Sequence, residues 1–331
     1  MENIFGIQTE QDFLTASLKT FRYQYENVEI YRRFVDYLNI DPGKVDTLTK
    51  IPFLPIEMFK NHQILDKNVT ADLFFQSSGT TQMNLSKHFI ADENIYQESI
   101  YKSFEQFIGK PEDFIFLGLL PSYLEKQNSS LIYMVDYLMK KSAKPENGYF
   151  LYNHSDLLAL LNTLKDKKVI LFGVSFALLD FIDYCEHSSV ESLNFLISES
   201  FNLTVIETGG MKGRKEEMTK DELLKILQEG FKTDKIYSEY SMTELLSQAY
   251  SLGNNEYQCP NWMKIMVRNA EDPFNYEKEG RTGAINIIDL ANIHSCSFIA
   301  TQDLGKITGD KFQVLGRIDH SDIRGCSLLV S

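Results

Sequence analysis

The N-terminal 40 residues place apolar side chains at roughly helical spacing, with polar residues between them. Thr9 and Asp12 stand where a helix start can be capped. The same period returns further along the chain and predicts helices near residues 92–108, 130–141, 154–166 and 175–186. Another helix is predicted to begin at Thr219, because its hydroxyl can cap the start while Glu222 reaches back.

Short apolar runs rich in β-forming residues separate the predicted helices. The runs are Phe114–Leu120, Val169–Phe172, Leu203–Ile206, Ile285–Ile288 and Phe312–Ile318. Strands and helices alternate over the first 250 residues, a pattern typical of parallel sheets that helices cover on both faces. The sequence therefore predicts an α/β fold.

Strands dominate after about residue 256, where helical patterns become rare. This change predicts an α/β core over residues 1–255 and a small β-rich subdomain of the same core over residues 256–316. Residues 317–331 are expected to form a truncated hinge and a C-terminal tail.

The composition supports a large folded unit and narrows the range of partners. Of the 331 residues, 43% are hydrophobic and 24% are charged, so a sizeable core can form. The formal net charge of -13 argues against broad binding to nucleic acid or to anionic membranes. It leaves room for one local basic pocket that holds a nucleotide.

The N-terminus and the cysteines predict the compartment. The first residues lack the basic start and apolar run of a signal peptide, and no stretch approaches the roughly 18 apolar residues that span a bilayer. The four cysteines, Cys185, Cys259, Cys296 and Cys326, form no CxxC pair and are too sparse for a disulfide scaffold. We therefore expect a cytoplasmic protein with reduced thiols and no stable membrane insertion.

A hydroxyl-rich loop follows the apolar run of residues 73–75 and is the first segment that can carry chemistry. It consists of Ser77, Ser78, Gly79, Thr80 and Thr81. A glycine turn frees backbone N–H groups, and the hydroxyls add further donors, so the loop can wrap phosphate oxygens. An ordinary Ser/Thr turn is the alternative. A Walker A loop is excluded, because its Gly-Lys-Ser/Thr ending is missing.

Two further segments follow predicted strands or helices in the middle of the chain. Gly209 and Gly210 follow the run 203–206. Because glycines have no side chain, a planar ring can pack against their backbone at the end of a strand. A plain turn is the alternative. Tyr240 can stack on a base, Thr243 offers a hydroxyl, and Glu244 offers a hard oxygen ligand for Mg²⁺. Alternatively, Thr243 caps a helix whose first turn contains Glu244.

The last candidate segments lie near the C-terminus. Asp303, within Thr301–Gly305, can accept hydrogen bonds from two ribose hydroxyls. Arg317, within Gly316–Asp319, can neutralise phosphate charge. Each of these features is common on protein surfaces when it occurs alone.

Taken in order, these segments resemble the adenylate-forming superfamily of acyl- and aryl-activating enzymes. Within it, the chain looks most like the acyl-protein synthetases of the LuxE type. That choice rests on the run Glu207–Arg214 and on the ending from Gly316 to Cys326. The resemblance spans about residues 50–326 and implies the large N-terminal domain of these enzymes, with packed α/β sheets and a small β-rich subdomain. Since the chain stops at Ser331, the mobile C-terminal domain is expected to be lacking.

The resemblance implies that ATP activates a carboxylic acid as an acyl-adenylate, with pyrophosphate as the other product. It places the ATP phosphates on the hydroxyl-rich loop and the adenine between the Gly209–Gly210 pair and Tyr240. Thr243 would contact the region of the α-phosphate, and Glu244 would hold Mg²⁺. The resemblance also implies that Asp303 takes the ribose hydroxyls and that Arg317 lies near the ribose and phosphate.

In the LuxE type, a cysteine near the C-terminus accepts the acyl group as a thioester, and Cys326 matches that position. The alternative is that Cys326 is an inert, buried thiol. The substrate implied is a fatty acid, and the implied partner is an acyl reductase or an acyl-carrier protein. The Phe172–Phe176 region can line an acyl pocket, although packing in the core is the simpler interpretation.

Two departures from the superfamily pattern keep other functions open. Gln82 replaces the last glycine of the hydroxyl-rich loop, where a side chain can tighten or block phosphate access, and Ser241 replaces a glycine after Tyr240. One alternative is a ligase that hands the acyl group to a small molecule or to a carrier protein. Another is a nucleotide-binding module without catalysis. The six histidines show no paired spacing typical of a metal site.

Overall fold

The computed structural model describes residues 3–77, 85–120, 128–187, 202–209 and 218–318. The α-helices of this part of the chain are α1 (Glu10–Asn27), α2 (Glu29–Tyr37), α3 (Met58–Asn61), α4 (Glu93–Phe107), α5 (Ser130–Ser142), α6 (His154–Thr163), α7 (Ser175–His187) and α8 (Lys220–Phe231). Each helix that the sequence predicts is present, with ends that differ from the predicted ones by a few residues.

The β-strands of the described residues include short and long members. They are β1 (Leu54–Pro55), β2 (Leu73–Gln76), β3 (Lys87–Ile90), β4 (Ile115–Leu119), β5 (Gly148–Phe150), β6 (Val169–Val174), β7 (Leu203–Thr208), β8 (Ile236–Tyr240), β9 (Ala249–Ser251), β10 (Tyr257–Gln258), β11 (Met263–Arg268), β12 (Gly283–Asp289), β13 (Phe298–Thr308) and β14 (Lys311–Arg317). The five predicted strands are confirmed. The sequence analysis did not predict β8 or β13, which carry Tyr240 and Asp303.

Local sequence signals explain where the helices begin. The Thr9 hydroxyl accepts a hydrogen bond from the Asp12 backbone N–H, and the Asp12 carboxylate accepts one from the Thr9 N–H. The same reciprocal arrangement joins Thr219 and Glu222 at the start of α8. Both predicted capping boxes are therefore confirmed.

One large sheet runs through the described part of the molecule. Its twelve strands follow the order β11-β12-β13-β14-β10-β9-β8-β7-β6-β4-β5, with β1 beside β13. The strands β5, β4, β6, β7 and β8 are parallel to one another, as the alternation of strands and helices predicts. From β8 to β9 the pairing turns antiparallel. Strands β2 and β3 form a separate antiparallel hairpin.

The antiparallel strands after β9 continue the same sheet, which gives the C-terminal part of the described chain its β-rich character. The proposed boundary at residue 255 stays a prediction. Phe172 and Phe176 are buried in the hydrophobic core with exposed fractions of 0% and 1%, as the core interpretation expects. None of the helices in the described ranges combines the length and apolar character needed to cross a membrane.

Parallel strands bring their carboxyl ends to one edge of a sheet, and ligands of open α/β sheets bind there. Here β7 ends at Thr208 and its parallel neighbour β8 ends at Tyr240. Gly209 follows the first strand, and the segment containing Thr243 and Glu244 follows the second. The topology thus gathers segments that are far apart in sequence.

Candidate active site

A hydrogen-bonded cluster of Tyr240, Asp303 and Arg317 lies at this edge of the sheet. The Tyr240 hydroxyl donates to Asp303 Oδ2 at 2.8 Å, and Arg317 Nε lies 3.4 Å from Asp303 Oδ1. Asp303 and Arg317 are direct partners in the β13–β14 pairing, so sheet register brings them together. The Arg317 side chain is 72% exposed, whereas that of Asp303 is 15% exposed. A cation therefore faces solvent beside a mostly buried carboxyl group.

The surroundings of this cluster control its protonation. Burial raises the pKa of Asp303, while the Tyr240 hydrogen bond and the Arg317 charge oppose that rise. Burial together with the Asp303 charge holds the pKa of Tyr240 well above its ordinary value, so the phenol stays a hydrogen-bond donor. The Tyr240 ring packs edge-on against Tyr257 and Phe312, with centroids 5.9 and 5.6 Å away.

The Thr243–Glu244 loop, residues 241–248, joins β8 to β9 without regular secondary structure. The Thr243 carbonyl lies 3.0 Å from His88 Nδ1, and the Glu244 carbonyl accepts from Asn292 Nδ2 at 2.8 Å. Because no helix starts here, the interpretation of Thr243 as a helix cap is wrong. The loop is instead held by side chains from β3 and from the turn after β12.

The Glu244 side chain is buried, with 5% of the residue exposed. Burial raises its pKa, whereas a hydrogen bond with Ser86 and the charges of Arg317 and Lys60 lower it. A hydrogen bond with the Glu244 backbone lowers it as well, and the carboxylate offers two oxygen atoms as potential metal ligands. Such an oxygen donor suits a hard cation.

Ser86 also connects Glu244 with the start of the hydroxyl-rich loop. The Ser86 N–H donates to Ser77 Oγ at 3.0 Å, and the Ser77 N–H donates to the Ser86 carbonyl at 3.1 Å. Ser77, the first residue of the predicted phosphate loop, is therefore hydrogen-bonded to Ser86, which itself contacts Glu244. Ser78, Gly79, Thr80, Thr81 and Gln82 lie outside the described residues.

Gly209 follows β7 with a φ of 76°, a conformation that favours glycine. Two contacts of Glu207 hold the adjacent backbone in place. The Ser175 hydroxyl donates to Glu207 Oε1 at 2.5 Å, and Glu207 forms a partly buried ion pair with Lys220. Burial lowers the pKa of Lys220, but the Glu207 carboxylate outweighs it and the pKa ends above its usual value. This pair ties together the two ends of the segment between β7 and α8. Gly210 lies outside the described residues.

The structure thus brings Tyr240, Asp303 and Arg317 into direct contact and links Ser77 to Glu244 through Ser86. Arg317 is near enough to Glu244 to influence its titration, so the two groups border one region. Cys326 lies outside the described residues. Sequence analysis gave His88 no role, and it missed Ser86 and Asn292. No local pattern marks any of these residues, because their partners are distant in the chain.

A metal site made entirely of protein ligands is not present in the described ranges, where no three His, Cys, Asp or Glu residues cluster suitably. Mg²⁺ does not need such a cage, because it is commonly held by one or two carboxylates together with substrate phosphates and water. Glu244 fits that pattern, since it is a single buried carboxylate that contacts Ser86, next to the start of the hydroxyl-rich loop.

Comparison with known proteins agrees with this architecture. An open conformation of 2-hydroxyisobutyryl-CoA ligase, in complex with 2-HIB-AMP and CoA, is similar with a TM-score of 0.71 and 14% identity, covering 94% of this chain and 70% of that chain. ATP-bound MatB from Rhodopseudomonas palustris gives 0.54 and 14%, covering 74% of this chain and 47% of its own. The luciferase-like enzyme from the nonluminescent mealworm Zophobas morio gives 0.53 and 12%, covering 85% and 62%.

At these identities the structural similarity supports the fold alone, which is that of the large domain of adenylate-forming enzymes. The curated proteins contain no match to the sequence. The profile of the family described as "Acyl-protein synthetase, LuxE" matches residues 127–331, more than half of the chain. This protein therefore belongs to the LuxE acyl-protein synthetase family.

Proposed function

We propose that this protein uses ATP to activate a carboxylic acid as an acyl-adenylate and then transfers the acyl group to a protein thiol. The observation that carries the proposal is the contact of Tyr240, Asp303 and Arg317 at the sheet edge that also borders Glu244. A phenol, a carboxyl group and an exposed guanidinium are the donors and acceptors that ribose and phosphate require.

The nucleotide would lie across the carboxyl ends of β7 and β8. Asp303 would accept hydrogen bonds from the two ribose hydroxyls, and Arg317 would face the phosphate from its exposed position. The adenine would lie between the Tyr240 ring and the backbone of Gly209 and Gly210. The triphosphate would follow the hydroxyl-rich loop, for which we propose Ser77, Ser78, Gly79, Thr80 and Thr81 as ligands.

In the first step, a carboxylate oxygen of the acid attacks the α-phosphorus of ATP, and the bond to the leaving pyrophosphate breaks. Two anions must approach each other, so positive charge and hydrogen-bond donors lower the barrier. We propose that Arg317 supplies positive charge and that the Thr243 hydroxyl donates a hydrogen bond near the α-phosphate. Glu244 would hold Mg²⁺, which when bound neutralises phosphate charge.

In the second step, a thiolate attacks the acyl carbon, a thioester forms, and AMP leaves with the bonding electrons. Three of the four cysteines are poorly suited to this role. Burial raises the pKa of Cys185 and Cys296 to about 12, and it raises that of Cys259 as well. Because a thiol reacts as its thiolate, these environments favour Cys326 as the acceptor.

We propose a fatty acid as the substrate and an acyl reductase or an acyl-carrier protein as the next acceptor. A reducing cytoplasm would keep the acceptor thiol free, which is consistent with the sparse cysteines. The acidic net charge of -13 gives no support to nucleic acid as a partner.

The proposal is tested by two measurements on the full chain. ATP–pyrophosphate exchange over a panel of carboxylic acids should reveal the first step, with the highest rates for fatty acids. Radiolabelled acid plus ATP should then label the protein through a bond that hydroxylamine cleaves. Cys326→Ser should lose that label and keep the exchange reaction, whereas the matched control Cys259→Ser should be labelled like the wild type.

Each contrary outcome points to a different conclusion. Equal labelling of the Cys326→Ser and wild-type proteins would remove Cys326 as the acceptor. Exchange without any labelled enzyme would favour a ligase that uses a small molecule or a carrier protein. A folded protein that binds ATP but exchanges with no acid would be a nucleotide-binding module.

A further inference from the structure

The Thr243–Glu244 loop obtains its shape from side chains outside it, above all from Asp289 at the end of β12. Asp289 Oδ2 accepts from the backbone N–H groups of Leu246 at 2.8 Å and Ser247 at 3.0 Å. Its Oδ1 accepts from the Ser247 hydroxyl at 2.6 Å and from the Ala291 N–H at 3.1 Å. Asp289 itself has an exposed fraction of 0%.

The chemistry of these contacts requires two acceptor oxygens. The backbone N–H groups of Leu246, Ser247 and Ala291 can only donate, and they approach both oxygens of the carboxyl group. An asparagine has one oxygen and one NH₂ group, so in either orientation its NH₂ would face an N–H donor. Buried donors that lose their acceptor are costly, and the loop would move to regain partners.

The same turn also holds the loop at Glu244, two residues before the first Asp289 contact. Asn292, three residues after Asp289, donates to the Glu244 carbonyl at 2.8 Å. From the other side, His88 Nδ1 contacts the Thr243 carbonyl at 3.0 Å. The backbone on both sides of the Glu244 side chain is therefore fixed by residues that lie far away in sequence.

We propose that Asp289 is a positioning residue, which holds the Thr243–Glu244 loop so that the Glu244 carboxylate points toward the bound nucleotide. This inference rests on the proposed function, because it assumes that Glu244 binds the Mg²⁺ that accompanies ATP. Asp289 acts through the backbone of Leu246 and Ser247, two and three residues after Glu244. A shift of those N–H groups moves the carboxylate directly.

The chain carries its own reporter of this contact. Trp262 is the only tryptophan in the sequence. Its indole Nε1–H donates to Ser247 Oγ at 2.9 Å and to Ser99 Oγ at 3.2 Å, and that Ser247 hydroxyl is the one bound to Asp289. Tryptophan emission therefore arises next to the Asp289 contacts, and rearrangement of the loop should change it.

The test compares Asp289→Asn with Asp66→Asn in the full-length protein. Asp66 is also a buried carboxylate that accepts hydrogen bonds, from Tyr23 and from the Asn68 N–H, but it does not contact the Thr243–Glu244 loop. The Asp289→Asn protein should show shifted tryptophan emission, and its affinity for ATP with Mg²⁺, measured by calorimetry, should fall roughly ten- to a hundredfold. The acid KM should change little.

The Asp66→Asn control should lose thermal stability while its emission maximum and its ATP affinity with Mg²⁺ stay at wild-type values. If Asp289→Asn does not fold, Ser247→Ala removes one Asp289 contact together with the Trp262 partner. It should then produce the same changes with smaller amplitude.

The outcomes separate this inference from the proposed function. A wild-type protein that binds no ATP with Mg²⁺ would defeat the proposed function and this inference with it. A wild type that binds while Asp289→Asn or Ser247→Ala binds equally well would overturn the positioning role of Asp289 alone. Equal loss of affinity in the Asp66→Asn control would also overturn it, because the effect would then reflect general destabilisation.

Discussion

His88 on β3 is a buried imidazole with an exposed fraction of 1%, packed edge-on against the Phe59 ring at 5.7 Å. Because the Thr243 carbonyl can only accept, the contact at 3.0 Å assigns the proton to Nδ1. Nε2 is buried and has no partner within the described residues. A second proton would therefore carry a charge into an unsolvated site, and burial lowers the pKa of His88 to about 4.

This lowered pKa predicts a pH dependence of stability. In the unfolded chain His88 takes up a proton near its ordinary pKa of 6.5, whereas in the folded protein its pKa is about 4. The unfolded chain therefore binds more protons between these values, and the contribution present above pH 6.5 is lost as pH falls toward 4. Its size is about 3 kcal/mol in the free energy of unfolding.

Denaturant unfolding at a series of pH values measures this contribution. His88→Asn keeps a donor near Nδ1 but cannot titrate, so its free energy of unfolding should fall less steeply than that of wild type from pH 6.5 to 4. The control His62→Asn, at an exposed position, should follow the wild-type curve. Parallel curves for wild type and His88→Asn would contradict the assigned burial of the imidazole.

At the scale of single elements, the start of α1 could be predicted from the sequence because both partners of its capping box, Thr9 and Asp12, lie within four residues. Thr9→Ala should therefore lower the free energy of unfolding by about 1 kcal/mol, since the Asp12 N–H loses its acceptor. Chemical denaturation monitored by circular dichroism measures the change.

Thr15 in the same helix is the matched control. Its hydroxyl donates to the Gln11 carbonyl within the helix and caps nothing. Because alanine is the better helix former, Thr15→Ala should leave stability unchanged or raise it slightly. A loss in Thr15→Ala equal to that in Thr9→Ala would show that threonine packing, and not capping, stabilises this helix.

The elements that sequence analysis missed carry the candidate site. Strand β13 begins with apolar residues but continues with Thr301, Gln302, Asp303, Lys306 and Thr308, and its register shifts against β14 between Leu304 and Gly305. A strand interrupted by polar residues and an irregular register loses the two-residue period by which strands are recognised. The polar residues that place β13 in the candidate site, above all Asp303, are thus the ones that prevent its recognition as a strand from sequence.

At the scale of the whole molecule, the proposed site depends on segments that only the fold brings together. A ligand that binds solely to the folded chain stabilises it by mass action, by about 2.7 kcal/mol at 100 times its Kd. ATP with Mg²⁺ should therefore raise the melting temperature by roughly 5 °C. ATP without Mg²⁺ should raise it less, if Glu244 holds the cation.

Thermal unfolding of Glu244→Gln isolates the Mg²⁺-dependent part of that shift, which should disappear in the variant. Glu229→Gln, on the exposed face of α8, is the control and should retain the full shift. A Mg²⁺-dependent shift that survives in Glu244→Gln would exclude this carboxylate as the cation ligand.

Much of the architecture follows from short-range patterns. Helix starts at Thr9 and Thr219 depend on partners three residues away, and the buried strand β6 is a continuous apolar run. The ordered segments around Tyr240, Asp303 and Arg317 were also recognisable in the sequence, and they identified the superfamily. These features are local, so the linear order of residues determines them.

Only the tertiary structure decided which of these groups meet and what supports them. The Tyr240–Asp303 bond spans 63 positions, and the contact of His88 with Thr243 spans 155. Local sequence marks Asp289 only as the cap of a short turn at Ala291, whereas its hold on the loop arises from N–H groups 42 and 43 residues earlier in the chain. Such contacts depend on sheet order and register, which are set by packing of the whole chain and not by any segment alone.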